Sequence, residues 1–500
     1  MKTKKISLSS QTVPLLLLLA TIAFTLRFYL IPQHLFFGPE QGIDFTVIRD
    51  IATGHKLTLI GSKTDIPGVF HGPLYYYISA VPFATTGGNP IAVIFTLILI
   101  QALSIFPLYG LGKELWNRQV GFMAAILFTV SYSAIVNSRW LSSPPLALPL
   151  VCVFFYSFTR YLKGNNRYLL LSALSFGLLV QSQFLNLILF SAILLFLIII
   201  FYKRILTTPL KILLPSLFIL GLISIGNFVL FDLKHHFLIS NSLLELASGK
   251  RGYYLPPNII LSSIYAKAVD FYSWILTPTF SAFTPPIFIL LAVLLLKKIT
   301  HPITNSSQTI LAVWLFTPFI IFFLLHHDLI SHYFIPFLPA FILAIAYGLD
   351  LLFTRNKILG FAVFLALILF NLFIYVKNIP ANSNIFFQAN QPHFYYSDQQ
   401  KIIAETYKRA ENRPFSIQAF TIPYWKQEGW LYLFWYEGTQ KHLKLPVKDN
   451  PDKLFVIVQD NPSDRLFQWN WLQDTVSQWG KGEAGRFWFG DISVIIRQVK

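Results

Sequence analysis

Three carboxylates, Glu40, Asp44 and Asp50, fall within eleven residues of the stretch FFGPEQGIDFTVIRD, residues 36–50. Gly38 can end an extended segment and Pro39 can take a first helical position, which puts Glu40 in a first turn near the positive end of a helix dipole. Glu40 and Asp44, four apart, then share one helix face. Such a pair can take a proton from a hydroxyl, hold a divalent cation such as Mg or Mn, or do both. A solvated helix face at an interface would show the same spacing. The segment that follows, TGHKLTLIGSKTDIPGVFHGPLYYY, is long and punctuated by Gly and Pro, and it adds Lys56, Lys63, Asp65 and His71. A loop of that length is more often functional than idle.

These residues must be positioned by a membrane scaffold. The chain has 500 residues, is 55% hydrophobic and only 12% charged, and repeats apolar runs of about twenty residues, the length that crosses a hydrocarbon core of ~30 Å. Its net charge of +17 sits largely in short loops between apolar runs, where basic residues set orientation, so the charge reads as topology and not as nucleic-acid binding. The single Cys152 excludes an intrachain disulfide and argues against a thiol nucleophile or a cysteine metal site. The start, MKTKK followed by VPLLLLLATIAFTLRFYLI, lacks a small-x-small cleavage pattern before Arg27 and reads as a retained first helix.

With the basic clusters cytoplasmic, spans are expected near 12–32, 90–112, 119–137, 144–162, 168–185, 187–203, 212–231, 280–296, 308–325, 332–352 and 358–377. The N-terminus is then inside and the C-terminus outside. GPLYYYISAVPFATTGG (72–88) is short, Pro-interrupted and Tyr-rich, and fits a helix lying in the outer interface. Of the 22 acidic residues, ten precede residue 381, and eight of those ten fall on the outer side: Glu40, Asp44, Asp50, Asp65, Asp232, Glu245, Asp270 and Asp328.

The fold class expected is a polytopic α-helical membrane protein of about eleven transmembrane helices plus juxtamembrane helices, carrying a small C-terminal extracytoplasmic α/β domain. Residues 1–380 form the membrane part with a first outer loop at 33–89, and residues 381–500 the outer domain. The last 120 residues hold the other twelve acids. They alternate in strand-like runs such as DKLFVIVQD and DISVIIRQV, and 397–412 reads as an amphipathic helix.

The order of EQGIDFTVIRDI, HGPLYYY and GKELWNRQVGFMAAILFTVSYSAIVNSRW, over about residues 30–190, is echoed by FDLKHHF (231–237) and HYFIPFLPA (332–340). It resembles the family 39 type of GT-C membrane glycosyltransferases, which contains the protein O-mannosyltransferases and the lipid A aminoarabinose transferase. The resemblance implies a sugar donor carried on a polyprenyl phosphate, inverting transfer, and a carboxylate at the start of the first outer loop as base or metal ligand. The family's leading Asp falls on Glu40, and Asp44 is a carboxylate that some bacterial branches add. The family's EKPPL signature stands here as FHGPL, its Glu at Phe70 and its Lys at His71. A second outer-loop Asp is expected soon after an Arg, but Arg139 is followed only by Ser142 and Ser143. These departures leave metal use open and point toward an unusual donor.

On that reading Glu40 or Asp44 takes the proton of the acceptor hydroxyl as it attacks the anomeric carbon, and the spare carboxylate orients the acceptor or holds a cation. The leaving phosphate needs cations or hydrogen-bond donors. Arg139 suits it as a bidentate guanidinium at the outer end of the third span, with His71, Lys234, His235 and His236 beside it. His332 and Tyr333 open a span where relatives often carry Arg-Tyr, and are expected donors to phosphate or sugar. Asp232 and Asp328 border spans on the same side as supporting candidates. The tyrosines 75–77 read as an interface belt. Expected partners are the polyprenyl-phosphate sugar, a lipid, protein or glycan acceptor, and membrane lipids of a plasma membrane. A lipid-sugar transporter or flippase would put ionisable residues within spans and show repeated halves. A glycan ligase or polymerase would rest on a large late outer loop, for which the 233–279 segment offers Lys234, Lys250 and Arg251.

Overall fold

The computed structural model describes residues 11–248, 256–276, 306–325, 331–380, 395–420, 427–459, 465–473, 482–490 and 492–499. The expected span at 280–296, together with Asp328, Lys250 and Arg251, lies outside the described residues.

The chain opens with α1 (Thr12–Phe28), the one-turn α2 (Ile31–His34) and α3 (Pro39–Ala52), and after a loop continues as α4 (Leu74–Thr86). α5 (Pro90–Ala102) and α6 (Ile105–Leu115) run on from each other, as do α7 (Arg118–Val130) and α8 (Tyr132–Ser138) across a bend of 57°. α9 (Ala147–Leu162), α10 (Tyr168–Ser182), α11 (Leu185–Ile200), the short α12 (Tyr202–Leu206), α13 (Leu210–Lys234), α14 (Leu238–Ala247) and α15 (Pro257–Leu276) follow. α16 (Ser306–Leu325), a 3-10 turn at Ser331–Phe337, α17 (Leu338–Arg355) and α18 (Lys357–Asn378) complete the bundle.

Among the described residues seven helical stretches are long and apolar enough to cross a membrane, or eight if the bent pair α7–α8 counts as one span. Of the eleven spans expected, the one at 280–296 is not among the residues counted. α10 and α11 stand where spans 168–185 and 187–203 are expected, but at 15 and 16 residues they reach only ~22–24 Å, short of a full hydrocarbon core. α4, 13 residues with Pro82 inside it, is too short to cross by the same measure, in agreement with its reading as a helix that does not span. α15, a 20-residue helix, occupies the segment read as an outer loop. It is not among the helices long and apolar enough to cross a membrane, so a search for apolar runs does not reveal it.

Two arginines join α1 to the α7–α8 bend. Arg27, fully buried, donates from Nη1 to the carbonyls of Ala23 (3.1 Å) and Thr129 (3.2 Å) and from Nη2 to that of Phe128 (2.9 Å). Arg139 donates from Nη1 to the carbonyls of Arg27 (2.9 Å) and Tyr29 (2.6 Å). Through Phe128 and Thr129 at the end of α7, and Arg27 and Tyr29 at the end of α1, the guanidiniums cover carbonyls that a helix end leaves without an intrahelical partner.

After the bundle come α19 (Tyr396–Ala410) and α20 (Glu428–Gln440), β1 (Phe415–Phe420) and β2 (Lys453–Gln459), then α21 (Arg465–Trp471), β3 (Glu483–Phe489) and β4 (Ile492–Gln498). The strands form one sheet in the order β1-β2-β4-β3, with β1 and β2 parallel and the other pairs antiparallel. β2, LFVIV flanked by Lys453 and Gln459, is buried along its whole length, as a central strand covered on both faces must be. This unit does not hang free of the bundle. Phe37 and Phe45 of the α2–α3 segment, Tyr75 and Tyr76 of α4, Trp430 and Tyr432 of α20 and Phe455 of β2 belong to one continuous buried core.

Candidate functional site

The head of α3 forms as its sequence dictates. Gly38 caps the helix with an extended backbone (φ −97°, ψ −167°), Pro39 begins it, and the Gln41 side-chain oxygen accepts from Gly38 N–H at 3.0 Å. Gln41 Nε2 donates to the carbonyl of Leu141 at 3.2 Å, which ties this turn to the segment after α8. α3 lies flush on α20: a Cβ at Gly42 would stand 2.3 Å from the backbone of Glu428, so no larger residue fits at this distance. Phe45 meets Tyr432 edge-on at 5.1 Å, and the Arg49 guanidinium lies 5.0 Å from the centre of the Trp435 ring.

The opposite face of α3 carries the two acids, and their surroundings differ. Glu40 is exposed, whereas Asp44 is 6% exposed. Tyr76 of α4 donates its phenolic proton to Asp44 Oδ1 at 2.6 Å. Burial pushes the Asp44 carboxyl up to about 7, with Glu40 nearby adding to the rise and the Tyr76 hydrogen bond opposing it. Burial and the adjacent Asp44 also push the Tyr76 hydroxyl well up, so it remains a donor. Two carboxylates one turn apart thus present one open group and one closed group that titrates near neutrality.

The loop between α3 and α4 folds back on itself and onto the bundle. His71 and Ser62 pair through the His71 N–H (2.9 Å), and Gly61 N–H reaches the His71 carbonyl (2.7 Å). Asn227 of α13 donates to the carbonyl of Leu59 (2.8 Å) and itself accepts from Gln181 Nε2 (2.8 Å). A Cβ at Gly72 would meet the backbone of Gln181 at 2.5 Å. This contact sets His71 against the α10–α11 junction, where its Nδ1 accepts from the Phe184 N–H at 3.2 Å. Burial lowers the His71 imidazole to about 4, so it is neutral.

His71 and Tyr333 line one partly open cavity together with Asp65, Gln183, Phe184 and Leu185. His332 stands beside them, its ring 4.8 Å from Tyr333 and 5.4 Å from Trp140. His71, His332 and Tyr333 are therefore brought together from opposite ends of the bundle's sequence. Arg139 is not among the cavity's lining residues, and its Nη1 is engaged on the α1 carbonyls. Lys234 and His235 are exposed at the end of α13, with the His235 ring stacked at 4.1 Å on Phe231, which in turn touches Phe70 at 5.4 Å. Asp232 caps α14: its oxygens accept from Ile239 N–H (2.6 Å), Ser240 N–H (3.1 Å) and Ser240 Oγ (2.6 Å). Among the described residues no group of three or more His, Cys, Asp or Glu could hold a metal ion. Tyr76 and Gln183 escape a reading of the sequence because a tyrosine run reads as an interface belt and a lone glutamine carries no signature.

Residues 70–226 match the family described as dolichyl-phosphate-mannose-protein mannosyltransferase. The structure superposes on ArnT from Cupriavidus metallidurans bound to undecaprenyl phosphate with a TM-score of 0.64, at 10% identity, covering 97% of this chain and 98% of that one. The chain has the GT-C fold of membrane glycosyltransferases. The apo state of the same ArnT gives a TM-score of 0.63 at 9% identity, with 97% and 98% covered, so the GT-C likeness extends over the C-terminal sheet as well as the bundle. AglB from Archaeoglobus fulgidus is more distant, with a TM-score of 0.49 at 12% identity and coverage of 89% and 69%. No curated protein matches the sequence. The superposition shows the fold, and the family match covers residues 70–226.

Proposed function

We propose that this GT-C glycosyltransferase moves a sugar from a polyprenyl-phosphate donor to an acceptor hydroxyl, with inversion, on the membrane face that bears the α3–α4 loop. Three things support the donor class: the family match over residues 70–226, the carrier named for ArnT, and a cavity whose walls are largely apolar. The observation that carries the reading is the Glu40–Asp44 pair at the head of α3 within that fold.

Glu40 is the general base. It is the exposed member of the pair, so an acceptor hydroxyl can reach it, and its place in the first turn sets its carboxyl beside the positive end of the helix dipole. The acceptor oxygen attacks the anomeric carbon, its proton passes to the Glu40 carboxylate, and the bond from that carbon to the phosphate oxygen breaks, leaving polyprenyl phosphate. Asp44, fixed by Tyr76, sets the charge beside the base. Arg139 acts through position: by holding the end of α1 it fixes the segment from which α3 starts.

Glu40 and Asp44 are also the two carboxylates that would hold a divalent cation, in the manner in which Mg is bound by one or two carboxylates together with substrate phosphate oxygens. Such an ion would neutralise charge developing on the leaving phosphate. The lysines and arginines of the connections at 113–118, 160–167 and 203–211 support the reading in which the opposite face is cytoplasmic and the sheet unit and the loop face outward from a plasma membrane.

The test is transfer from labelled polyprenyl-phosphate sugars by purified protein in lipid. Turnover that collapses in Glu40→Gln is expected, and wild-type protein that turns over no polyprenyl-linked donor would reject the reading. A chelator arm decides the cation.

A further inference from the structure

The cavity between the α3–α4 loop and the α10–α11 junction holds two polar side chains, His71 and Gln183, in largely apolar walls. Gln183 is 1% exposed, lines the cavity, and has no hydrogen-bond partner for either its amide nitrogen or its amide oxygen among the described residues. A buried amide left without partners is costly, and a native fold keeps one where something else completes it. Beside it, His71 has its tautomer fixed by the backbone. Because Nδ1 accepts from the Phe184 N–H at 3.2 Å, the neutral ring carries its proton on Nε2. His71 and Gln183 both belong to the lining, and Leu185, Ile188, Leu243 and Leu246 form its apolar part.

The two side chains therefore offer N–H donors from His71 and from the Gln183 amide, and one acceptor, Gln183 Oε1. An isolated phosphate diester satisfies the donors but has no hydrogen to give to Gln183 Oε1. A hydroxyl next to another oxygen, or an acetamido group, satisfies donor and acceptor at once. Resting on the transferase reading above, we propose that this cavity is a sugar subsite for an uncharged glycosyl unit, a hexose or N-acetylhexosamine joined to the lipid carrier, and that Gln183 is its specificity-determining residue.

The experiment measures binding, not turnover, of two probes to the full chain in nanodiscs: polyprenyl phosphate, and the same lipid phosphate carrying a neutral N-acetylhexosamine or hexose. Wild type is expected to bind one of the sugar-bearing probes at least tenfold more tightly than the bare lipid phosphate. Gln183→Leu, which breaks no existing side-chain hydrogen bond, is expected to fold with an equal or higher melting temperature and to lose that advantage while holding the bare lipid phosphate as before. Gln183→Glu, which offers acceptors and no amide donor, is expected to lose it too. Equal binding of both probes by wild type, or an advantage that survives in both variants, overturns the proposal and leaves the transferase reading intact. A wild type that binds neither probe overturns both.

Discussion

The phenolic oxygen of Tyr76 lies 2.6 Å from Oδ1 of Asp44 and joins α4 to the buried acid of α3. Asp44 is held there against burial that favours its neutral form, so the pair sets how the acid titrates. Tyr76→Phe removes the one interaction that lowers the Asp44 proton affinity. In wild type the rate is expected to change with an apparent midpoint near the value of about 7 that Asp44 carries. Tyr76→Phe should move that midpoint upward, and Asp44→Asn should abolish it. A pH profile of kcat/KM for the three proteins checks this, and a midpoint that persists in Asp44→Asn would assign it to another group.

Stability should follow the same acid with a definite sign. The unfolded chain releases the Asp44 proton near 4, whereas the folded chain keeps it up to about 7. Between these values the native state binds more protons, so this residue makes the fold less stable as pH rises through the window. Asp44→Asn removes the penalty. Its melting temperature should exceed that of wild type at pH 8 and converge with it below about pH 4. A gap that widens on acidification would refute the assignment.

Glu40→Gln is expected to lower kcat by about 100- to 10,000-fold, the usual worth of a general base. Its melting temperature should stay within a degree or two of wild type, since Glu40 is exposed. Single-turnover transfer with a saturating donor separates chemistry from binding. An unchanged rate would pass the base role to Asp44.

The close seat of α3 on α20 is tested at Gly42. Gly42→Ala forces a Cβ toward a backbone 2.3 Å away, an overpacking that costs about 1–3 kcal/mol. It should lower both melting temperature and transfer. Gly221→Ala, where a Cβ meets nothing within 4 Å, should be neutral or slightly stabilising.

Arg139 separates a structural from a phosphate-binding role. Arg139→Met strips donors from the part-buried carbonyl of Arg27 and the exposed carbonyl of Tyr29, at about 1–3 kcal/mol for the Arg27 carbonyl, since water can replace the donor at Tyr29. The melting temperature should fall while the Kd for polyprenyl phosphate in the surviving folded fraction stays within about twofold. A tenfold loss of affinity at unchanged stability would return Arg139 to the phosphate.

What the sequence by itself determined is local. Gly38, Pro39 and Glu40 fix where α3 starts because a cap, a preset φ and a first-turn acid act within one turn. The segment 397–412 declares the helix found at Tyr396–Ala410 by its period. Apolar length identifies membrane spans, and the order of short motifs points to the GT-C type that the fold then bears out. Only the tertiary structure decided which of two acids at the same spacing is buried, since that depends on α4 packing beside α3 and on Tyr76, 32 residues away. It likewise placed Arg139 on the carbonyls of α1, more than 100 residues back. It also brought His71 to the backbone of Phe184 and left Gln183 buried without partners. Hydrogen bonds and burial across such separations leave no period in the chain, because they arise from how helices pack and not from the residues next in line.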